Sequence, residues 1–350
     1  MNARTHQLLS GFLVSSALLG ASIAHGQSIS ANIDIPSLDR WNYPFASTPG
    51  AETAAPCFAA LRQTGFDDRD AQFLIGFDTS QVIPAGYGDN RYQITSLTLS
   101  VFVSTDLRFE YDPSFDSVAT SYDLADPDYI ADSDLGKPVE VFPVAYRNGY
   151  TDHTFAESSP YSPFPSFPPR EGVRNAFPAL LDANGVATDV SRNVRQKFEA
   201  QSIGIGTSSL LQPGELVPAG TELTFSINLS QSQIREHFAN GLNAGKVRFM
   251  VSGLHPTSGG PGGGTGSAAY PTFFTKENAL SPFNGFSPRL QVEVSAFPGA
   301  DFNADGGVDG SDVEAFFLAW EAGEEIADFN MDGGVEGGDI EAFFTTWENG

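Results

Sequence analysis

The sequence predicts a mainly β protein: a β-sandwich body with long loops, followed by a small α-helical module. Three observations support this fold class. Gly (36) and Pro (23) are frequent and have no fixed period, which is typical of a turn-rich all-β chain. Several segments alternate apolar and polar residues with the period of a half-buried strand. Finally, a segment of about twenty residues that begins at residue 301 recurs at residue 328, which indicates a duplicated unit.

The first 26 residues predict an export signal. Arg4 supplies a positive charge, residues 8–24 are apolar, and Ala24-His25-Gly26 provides a small-x-small cleavage site. Ser and Gly interrupt the apolar run, which is also short for a bilayer span of roughly 20 residues. We therefore expect a secreted or cell-surface protein that has no membrane span after signal removal.

Charge and cysteine content exclude several classes of function. The chain has 43 acidic and 18 basic residues, for a net charge of −25. Nucleic acid and anionic membranes are therefore not expected partners, because both require clustered Lys and Arg. The lone Cys57 cannot form an intramolecular disulfide, and we expect it to be a small buried apolar residue.

The body, residues 27–297, contains a series of strand patterns. Apolar or alternating segments predict strands at 73–78, 92–103, 139–144, 203–205, 222–229, 247–251 and 290–294. Residues 106–136 are rich in Asp and predict a loop, and the proline-rich residues 160–169 exclude a central strand. Many short strands of this kind are typical of a β-sandwich.

One short helix interrupts this series of strands. Ser230 and Gln233 have the spacing of a capping box, in which the two side chains satisfy the first N–H groups of a helix. Ile234 and Phe238 follow on one helical face. Gly241 is then the expected position just past the helix end.

The duplicated unit, within residues 300–350, carries oxygen donors at the spacing of a calcium loop. Calcium takes about 6–8 oxygen ligands, and a twelve-residue loop supplies them from positions 1, 3, 5, 7, 9 and 12. Gly306 and Gly333 hold position 6, where the chain must turn, and Val308 and Val335 at position 8 could form a β-bridge. The predicted ligands of two Ca²⁺ ions are Asp301, Asn303, Asp305, Gly307 (carbonyl), Asp309, Asp312, Asp328, Asn330, Asp332, Gly334 (carbonyl), Glu336 and Asp339.

Each loop leads into a predicted amphipathic helix. The apolar positions recur at i, i+3, i+4 and i+7, so each helix has one strongly apolar face, and we expect the two faces to pack together. These positions are Val313, Phe316, Phe317 and Trp320, then Ile340, Phe343, Phe344 and Trp347. Residues 301–350 contain fourteen Asp and Glu and no Lys or Arg, so their self-repulsion should oppose folding without metal.

This duplicated unit resembles dockerin modules, which consist of two loop–helix half EF-hands. As in dockerins, the first EF-hand helix is missing and position 12 is Asp. The resemblance implies docking to a cohesin-like receptor or a cell-surface scaffold, and we expect Phe317, Leu318 and Phe344 at that interface. Positions 10 and 11 are often small hydroxyl residues in cellulosomal dockerins, but here they are Gly310-Ser311 and Gly337-Gly338, so only Ser311 has a hydroxyl. The module is therefore more similar to Phe-rich anchors of other bacterial secreted proteins.

The body is similar to DNRLRE-type β-sandwiches, some of which are carbohydrate-binding modules. The matching segments are Phe77-Asp78, Ile83-Pro84, Leu97-Thr98-Leu99, Phe273–Glu277 and Pro288-Arg289-Leu290. The resemblance implies a jelly-roll-like sandwich with a glycan-binding role. The resemblance does not extend to residues 105–200, which would be a large insertion.

Two sets of residues are candidates for glycan recognition. Tyr161, Phe164 and Phe167 lie in the proline-rich loop, which could present their rings for stacking on sugars, or they could cover a sheet edge or the core. Residues 146–150 and His153 could form a site for an anionic glycan, or an acid–base pair of a lyase. Packing and hydrogen bonding are the alternative roles for this second set.

The sequence contains no serine-nucleophile elbow, zinc motif or nucleotide fingerprint. A glycosidase needs two carboxylates about 5–10 Å apart, and 43 acidic residues leave too many choices. We favour a non-catalytic surface or glycan-binding protein, tethered through its calcium-dependent module. The alternative is a polysaccharide-degrading hydrolase or lyase that carries a dockerin.

Overall fold

A computed structural model describes residues 27–350, apart from 87, 89–90, 261–265, 297–298, 304, 306, 331–333 and 350. The predicted export signal lies outside the described residues. The strands are β1 (Gln27–Ile33), β2 (Leu38–Asn42), β3 (Ala54–Pro56), β4 (Phe58–Ala59), β5 (Arg69–Asp78), β6 (Tyr92–Phe102), β7 (Val139–Tyr146), β8 (Ala176–Leu181), β9 (Ala187–Asp189), β10 (Gly204–Ile205), β11 (Glu222–Ser226), β12 (Lys246–Gly253), β13 (Thr272–Phe274) and β14 (Arg289–Ala296). The α-helices are α1 (Ser232–Asn243), α2 (Ser281–Asn284), α3 (Gly310–Ala322) and α4 (Gly337–Asn349). In the part of the chain described, no helix is long and apolar enough to cross a membrane.

The strands form antiparallel sheets, which confirms the mainly β fold. The first sheet has the order β1-β14-β6-β11. The second has the order β2-β5-β12-β7-β8-β9, with β4 beside β5 and β10 beside β7. A separate pair joins β3 to β13. All seven strands predicted from pattern alone are confirmed, with small differences in their bounds.

The main core lies between the two large sheets. Leu97, Leu99 and Val101 of β6 join Phe73 and Phe249 of the second sheet in a single buried cluster. Alternate residues of β6 point into this cluster, as the period-2 pattern predicts. Removing these side chains from water is the main favourable term in folding, at roughly 25 cal/mol per Å² of apolar surface. Cys57 is fully buried in the same cluster, which confirms its predicted packing role.

The outer face of the second sheet is also covered. Nine of the ten residues of β5 are buried, so this strand does not alternate between core and solvent. Leu74 and Met250 point away from the main core and form a second cluster with Phe155. Phe155 belongs to the insertion, residues 105–200, which also contributes β7, β8 and β9 to the sheet. The insertion is therefore an integral layer of the body.

Buried ion pairs connect the insertion to the rest of the body. Nε and Nη2 of Arg174 lie 2.9 and 2.6 Å from a carboxylate oxygen of Asp67, and both residues are fully buried. Arg69 donates to Glu140 at 2.6 Å in an equally dry environment. Such pairs hold a specific geometry, because either charge alone would be buried without compensation.

The predicted N-terminal and C-terminal ends of α1 were both wrong. Its N-cap residue is Gln231, which makes no side-chain capping bond, so the predicted capping box is not formed. The helix continues past Gly241, and the left-handed backbone conformation falls at Gly245, where φ is +71°. Gly241 is needed for a different reason: a Cβ there would lie 2.7 Å from the carbonyl oxygen of Lys246.

Burial of His255 predicts acid sensitivity of the body. Burial, with the nearby charge of Lys137, lowers the pKa of His255 from 6.5 to about 3. The unfolded chain therefore binds more protons between these values, and stability is lost as the pH falls from about 6.5 towards 3. We expect this residue to contribute a loss of up to about 1.4 kcal/mol per pH unit in the free energy of unfolding.

Denaturant titrations of the wild type and of His255→Leu at several pH values would measure this contribution. The variant should show a flatter pH profile, whereas His153→Leu, at an exposed histidine, should follow the wild type. Parallel profiles for the wild type and His255→Leu would contradict the prediction.

Candidate functional site

The C-terminal module, residues 300–350, is built around two equivalent helices. α3 and α4 each have 13 residues and differ by the 27-residue offset of the repeat. Phe316 and Phe343 occupy matching positions and stack at 4.3 Å between ring centroids, with ring planes 1° apart. Both side chains are fully buried. The predicted packing of the two apolar helix faces is therefore confirmed.

Two matching hydrogen bonds relate the halves of the module. The indole N–H of Trp320 donates to the carbonyl of Glu336 at 2.8 Å, and that of Trp347 donates to the carbonyl of Asp309 at 3.3 Å. Each bond joins the helix of one repeat to position 9 of the other loop, so the module has approximate two-fold symmetry. The prediction of a β-bridge between Val308 and Val335 was wrong. These two described residues form no bridge, and Val308 is exposed.

The carboxylate at position 12 closes each loop. Asp312 is fully buried, and its two oxygens accept the backbone N–H groups of Asn303 at 3.0 Å and of Asp309 at 2.8 Å. Asp339 accepts the equivalent N–H groups of Asn330 and Glu336 in the second loop at 3.0 and 2.7 Å. Positions 3, 9 and 12 are therefore held together in both halves.

Backbone donors also orient the other predicted ligands of the first loop. Asp301 is buried and accepts the N–H of Asp305 at 3.0 Å, and Asp305 accepts the N–H of Gly307. Asp309 caps α3 by accepting from Ser311, whose N–H and hydroxyl lower the pKa of this carboxyl. Asp332 and the two position-6 glycines lie outside the described residues.

The described residues contain two groups of three carboxylates that lie close together. In each group, one oxygen atom of every carboxylate lies within 4.8 Å of the others. Both groups lie in the body: Asp39 with Glu157 and Glu277, and Asp112 with Asp116 and Asp134. A lysine neutralises part of each group. Lys276 contacts all three acids of the first, and Lys137 contacts Asp116 of the second. Among the described residues of the module, no three carboxylates form a group of this kind.

Arg91 of the body contacts both halves of the module. Its guanidinium carbon lies 5.0 Å from the ring centroid of Phe302 and 4.9 Å from that of Phe329. These two residues hold position 2 of the two loops, so one arginine contacts equivalent rings of both halves. Arg91 is buried, which lowers its pKa to about 10. This contact connects the module to the β-sandwich.

The three residues predicted at a partner interface differ in exposure. Leu318 is 64% exposed on α3. Phe317 and Phe344 are half-buried, and their ring centroids lie 6.2 Å apart. Leu318 is therefore the one fully available to a partner, beside a pair of partly exposed rings.

The three aromatic residues of the proline-rich loop also differ in exposure. Phe167 is 80% exposed, and Phe164 is exposed with Arg170 placed 4.6 Å from its ring centroid. Tyr161 instead lies half-buried with Arg174 5.3 Å from its ring, and burial raises its pKa well above the usual value. The loop therefore presents two of its three candidate rings.

The segment 146–150 has mainly packing roles. Tyr146 and Tyr150 both contact Phe155, at 5.4 Å between centroids, within the cover of the second sheet. Arg147 pairs with Asp189 at 2.5 Å. His153, in contrast, lines an open groove that also contains Arg248. Arg248 was not among the predicted site residues, although a charged residue within the strand predicted at 247–251 is a signal of such a site.

Comparisons with protein-family models, with curated proteins and with solved structures found no match to this chain. A functional assignment therefore rests on the residues and the geometry described above.

Proposed function

We propose that this is an exported, non-catalytic binding protein, anchored by a C-terminal module that binds two calcium ions. The observation that carries the proposal is the two-fold repetition in the module. Six oxygen-donor positions recur in register with the paired phenylalanines and with the matching tryptophan hydrogen bonds. A solvated acidic tail has no reason to repeat all of these features.

Charge supports a role for calcium in the module. Residues 301–350 carry fourteen carboxylates and no basic side chain. Two bound ions would neutralise four of these charges and join each loop to its helix, because position 12 lies within the first turn. The predicted ligands are the twelve residues named in the two loops.

Tethering through a cohesin-like receptor or a cell-surface scaffold is supported by the dockerin resemblance. Leu318, beside Phe317 and Phe344, offers an exposed apolar surface of the kind that a docking partner would cover. The contact of Arg91 with both loops would limit how the body moves relative to such an anchor.

Glycan binding is the proposed role of the body. Its antiparallel sheets support a jelly-roll-like sandwich, and Phe164 and Phe167 project from a proline-rich loop that can hold exposed rings in place for stacking on sugars.

Affinity electrophoresis and product analysis on neutral and acidic polysaccharides would test this role. We expect retention without released sugars, and a loss of roughly tenfold in affinity for Phe164→Ala/Phe167→Ala, because each stacked ring contributes about 0.5–1.5 kcal/mol. Phe283→Ala removes an exposed ring elsewhere and should have no effect. Release of oligosaccharides by the wild type would instead support the hydrolase or lyase alternative.

A further inference from the structure

An open groove of about 420 Å³ lies at one end of the second sheet, beside the insertion. β5 and β12 contribute Asp78, Lys246 and Arg248, and the insertion contributes His153 and Glu157. This volume lies within the range of about 300–1,000 Å³ that is usual for small-molecule sites. A groove of this size could hold one sugar residue of a longer chain.

Arg248 is the unusual residue of this groove. It is only 5% exposed, and its Nη2 donates to the carbonyl of Asp152 at 3.2 Å. Its Nε and Nη1 atoms are buried and have no hydrogen-bond partner. Within the described residues Arg248 forms no ion pair, although the chain has 43 acidic residues. A buried guanidinium with free donors is strongly unfavourable unless something pairs with it.

Other buried arginines of the body have protein partners. Arg174 and Arg69 pair with Asp67 and Glu140, respectively. Arg40 donates from one nitrogen to three backbone carbonyls of the insertion. Arg40 also keeps two nitrogens without a hydrogen-bond partner, so Arg248 differs from these arginines in that it lines a groove, from which a partner can come.

Gly76 makes room for this guanidinium. It lies opposite Arg248 in the pairing of β5 with β12. A Cβ at this position would be 1.8 Å from Nη1 of Arg248, so any other residue would displace the side chain. The arginine therefore lies flat against the sheet at a place where the neighbouring strand has no side chain.

The acidic residues of the groove have their own partners. Asp78 lies 3.5 Å from Nζ of Lys246, and Glu157 contacts Lys276. Arg248 consequently forms no ion pair with the described acidic residues that line the groove. Lys246 and His153 line the groove as further donors for an incoming anion.

We propose that this groove binds an oxyanion of an acidic polysaccharide, either the carboxylate of a uronic acid or a sulfate ester. Arg248 is the principal ligand, because its planar fork of N–H donors suits two oxygens of one anionic group. This inference rests on the proposed glycan-binding function and names the class of glycan. Lys246 adds charge.

Calorimetric titration of the full-length protein with sodium glucuronate, sodium sulfate and glucose, at matched ionic strength, tests the proposal. We expect glucuronate or sulfate to bind and glucose not to bind. Binding of glucuronate alone would identify a carboxylate ligand, and binding of sulfate alone would identify a sulfate ester. Failure of both anions to bind would overturn the proposal.

Arg248→Gln is expected to weaken anion binding about tenfold or more, because charge-assisted hydrogen bonds are lost. Arg235→Gln removes the same charge from an exposed site on α1 and should bind like the wild type. If Arg248→Gln does not fold, Lys246→Gln provides a milder test, with an expected loss of about threefold. Unchanged affinity in a folded Arg248→Gln, or in Lys246→Gln where Arg248→Gln cannot be used, would overturn the proposal.

The outcomes separate this inference from the function on which it rests. A protein that retains neutral polysaccharide but binds neither anion would refute the groove alone. A protein that binds glucuronate through Arg248 but also releases sugars from polysaccharide would refute the non-catalytic role alone.

Discussion

Removal of calcium from the full-length protein is expected to unfold residues 301–350 and to leave the β-sandwich folded. The fourteen carboxylates of this segment have no basic side chain among them, so their repulsion opposes the compact state once the ions are gone. The body has its own core between two sheets and does not depend on these residues. We therefore expect a local unfolding transition.

Asp301→Ala/Asp328→Ala should reproduce the effect of a chelator even at saturating calcium, because it removes position 1 of both loops. Far-UV circular dichroism would measure the change: α3 and α4 have 13 residues each, against 12 in α1 and 4 in α2. More than half of the α-helical signal should disappear, and limited proteolysis should cut within the module.

Glu314→Ala/Glu341→Ala is the matched control. It also removes two carboxylates at equivalent positions of the two repeats, but these side chains are exposed on the helices, away from the loops. The control should keep its helicity and its response to calcium. Helicity and protease resistance that do not change when a chelator is added would show that the module folds without calcium.

Asp67→Asn is expected to lower the free energy of unfolding of the body by about 3–5 kcal/mol, the usual cost of removing one partner of a buried ion pair. Asp67 and Arg174 are both fully buried, and both donor nitrogens of the arginine bond to the same carboxylate oxygen. The amide keeps the volume of the side chain but removes its charge. The guanidinium would then be buried with only the more distant Asp70 as an ionic partner, at 3.8 Å.

Urea denaturation followed by tryptophan fluorescence would measure this loss. Asp128→Asn, which breaks the surface pair between Lys197 and Asp128, is the matched control and should leave the midpoint close to that of the wild type. A midpoint for Asp67→Asn that equals that of the control would mean that the buried pair contributes little to stability.

Local pattern was enough to predict seven of the fourteen described strands. The alternation in residues 92–103 identified β6, because one face of that strand packs against the core and the other does not. The strands β8 and β9 are among those that were not predicted. β8 reads Ala-Phe-Pro-Ala-Leu-Leu, in which the period of two is lost and a proline interrupts the pattern. Pairing with β7 decides that this segment is a strand.

The candidate sites also differ in how far apart their residues lie along the chain. The candidate calcium ligands could be named from the sequence because the six proposed for each site lie within twelve consecutive residues. Arg174 and Asp67 lie 107 residues apart, and Arg248 meets Gly76 only through the pairing of β12 with β5. No local pattern in a single sequence records such distant pairings.

The sequence by itself determined the mainly β body, the duplicated acidic loops and the packing of two aromatic helix faces, because each depends on residues close together along the chain. Only the tertiary structure decided that the insertion covers the second sheet, that Arg91 joins the body to the module, and that Arg248 lines a groove with no carboxylate partner among the described residues. These features arise when distant segments pack and exclude water, and burial then determines which charges need a partner.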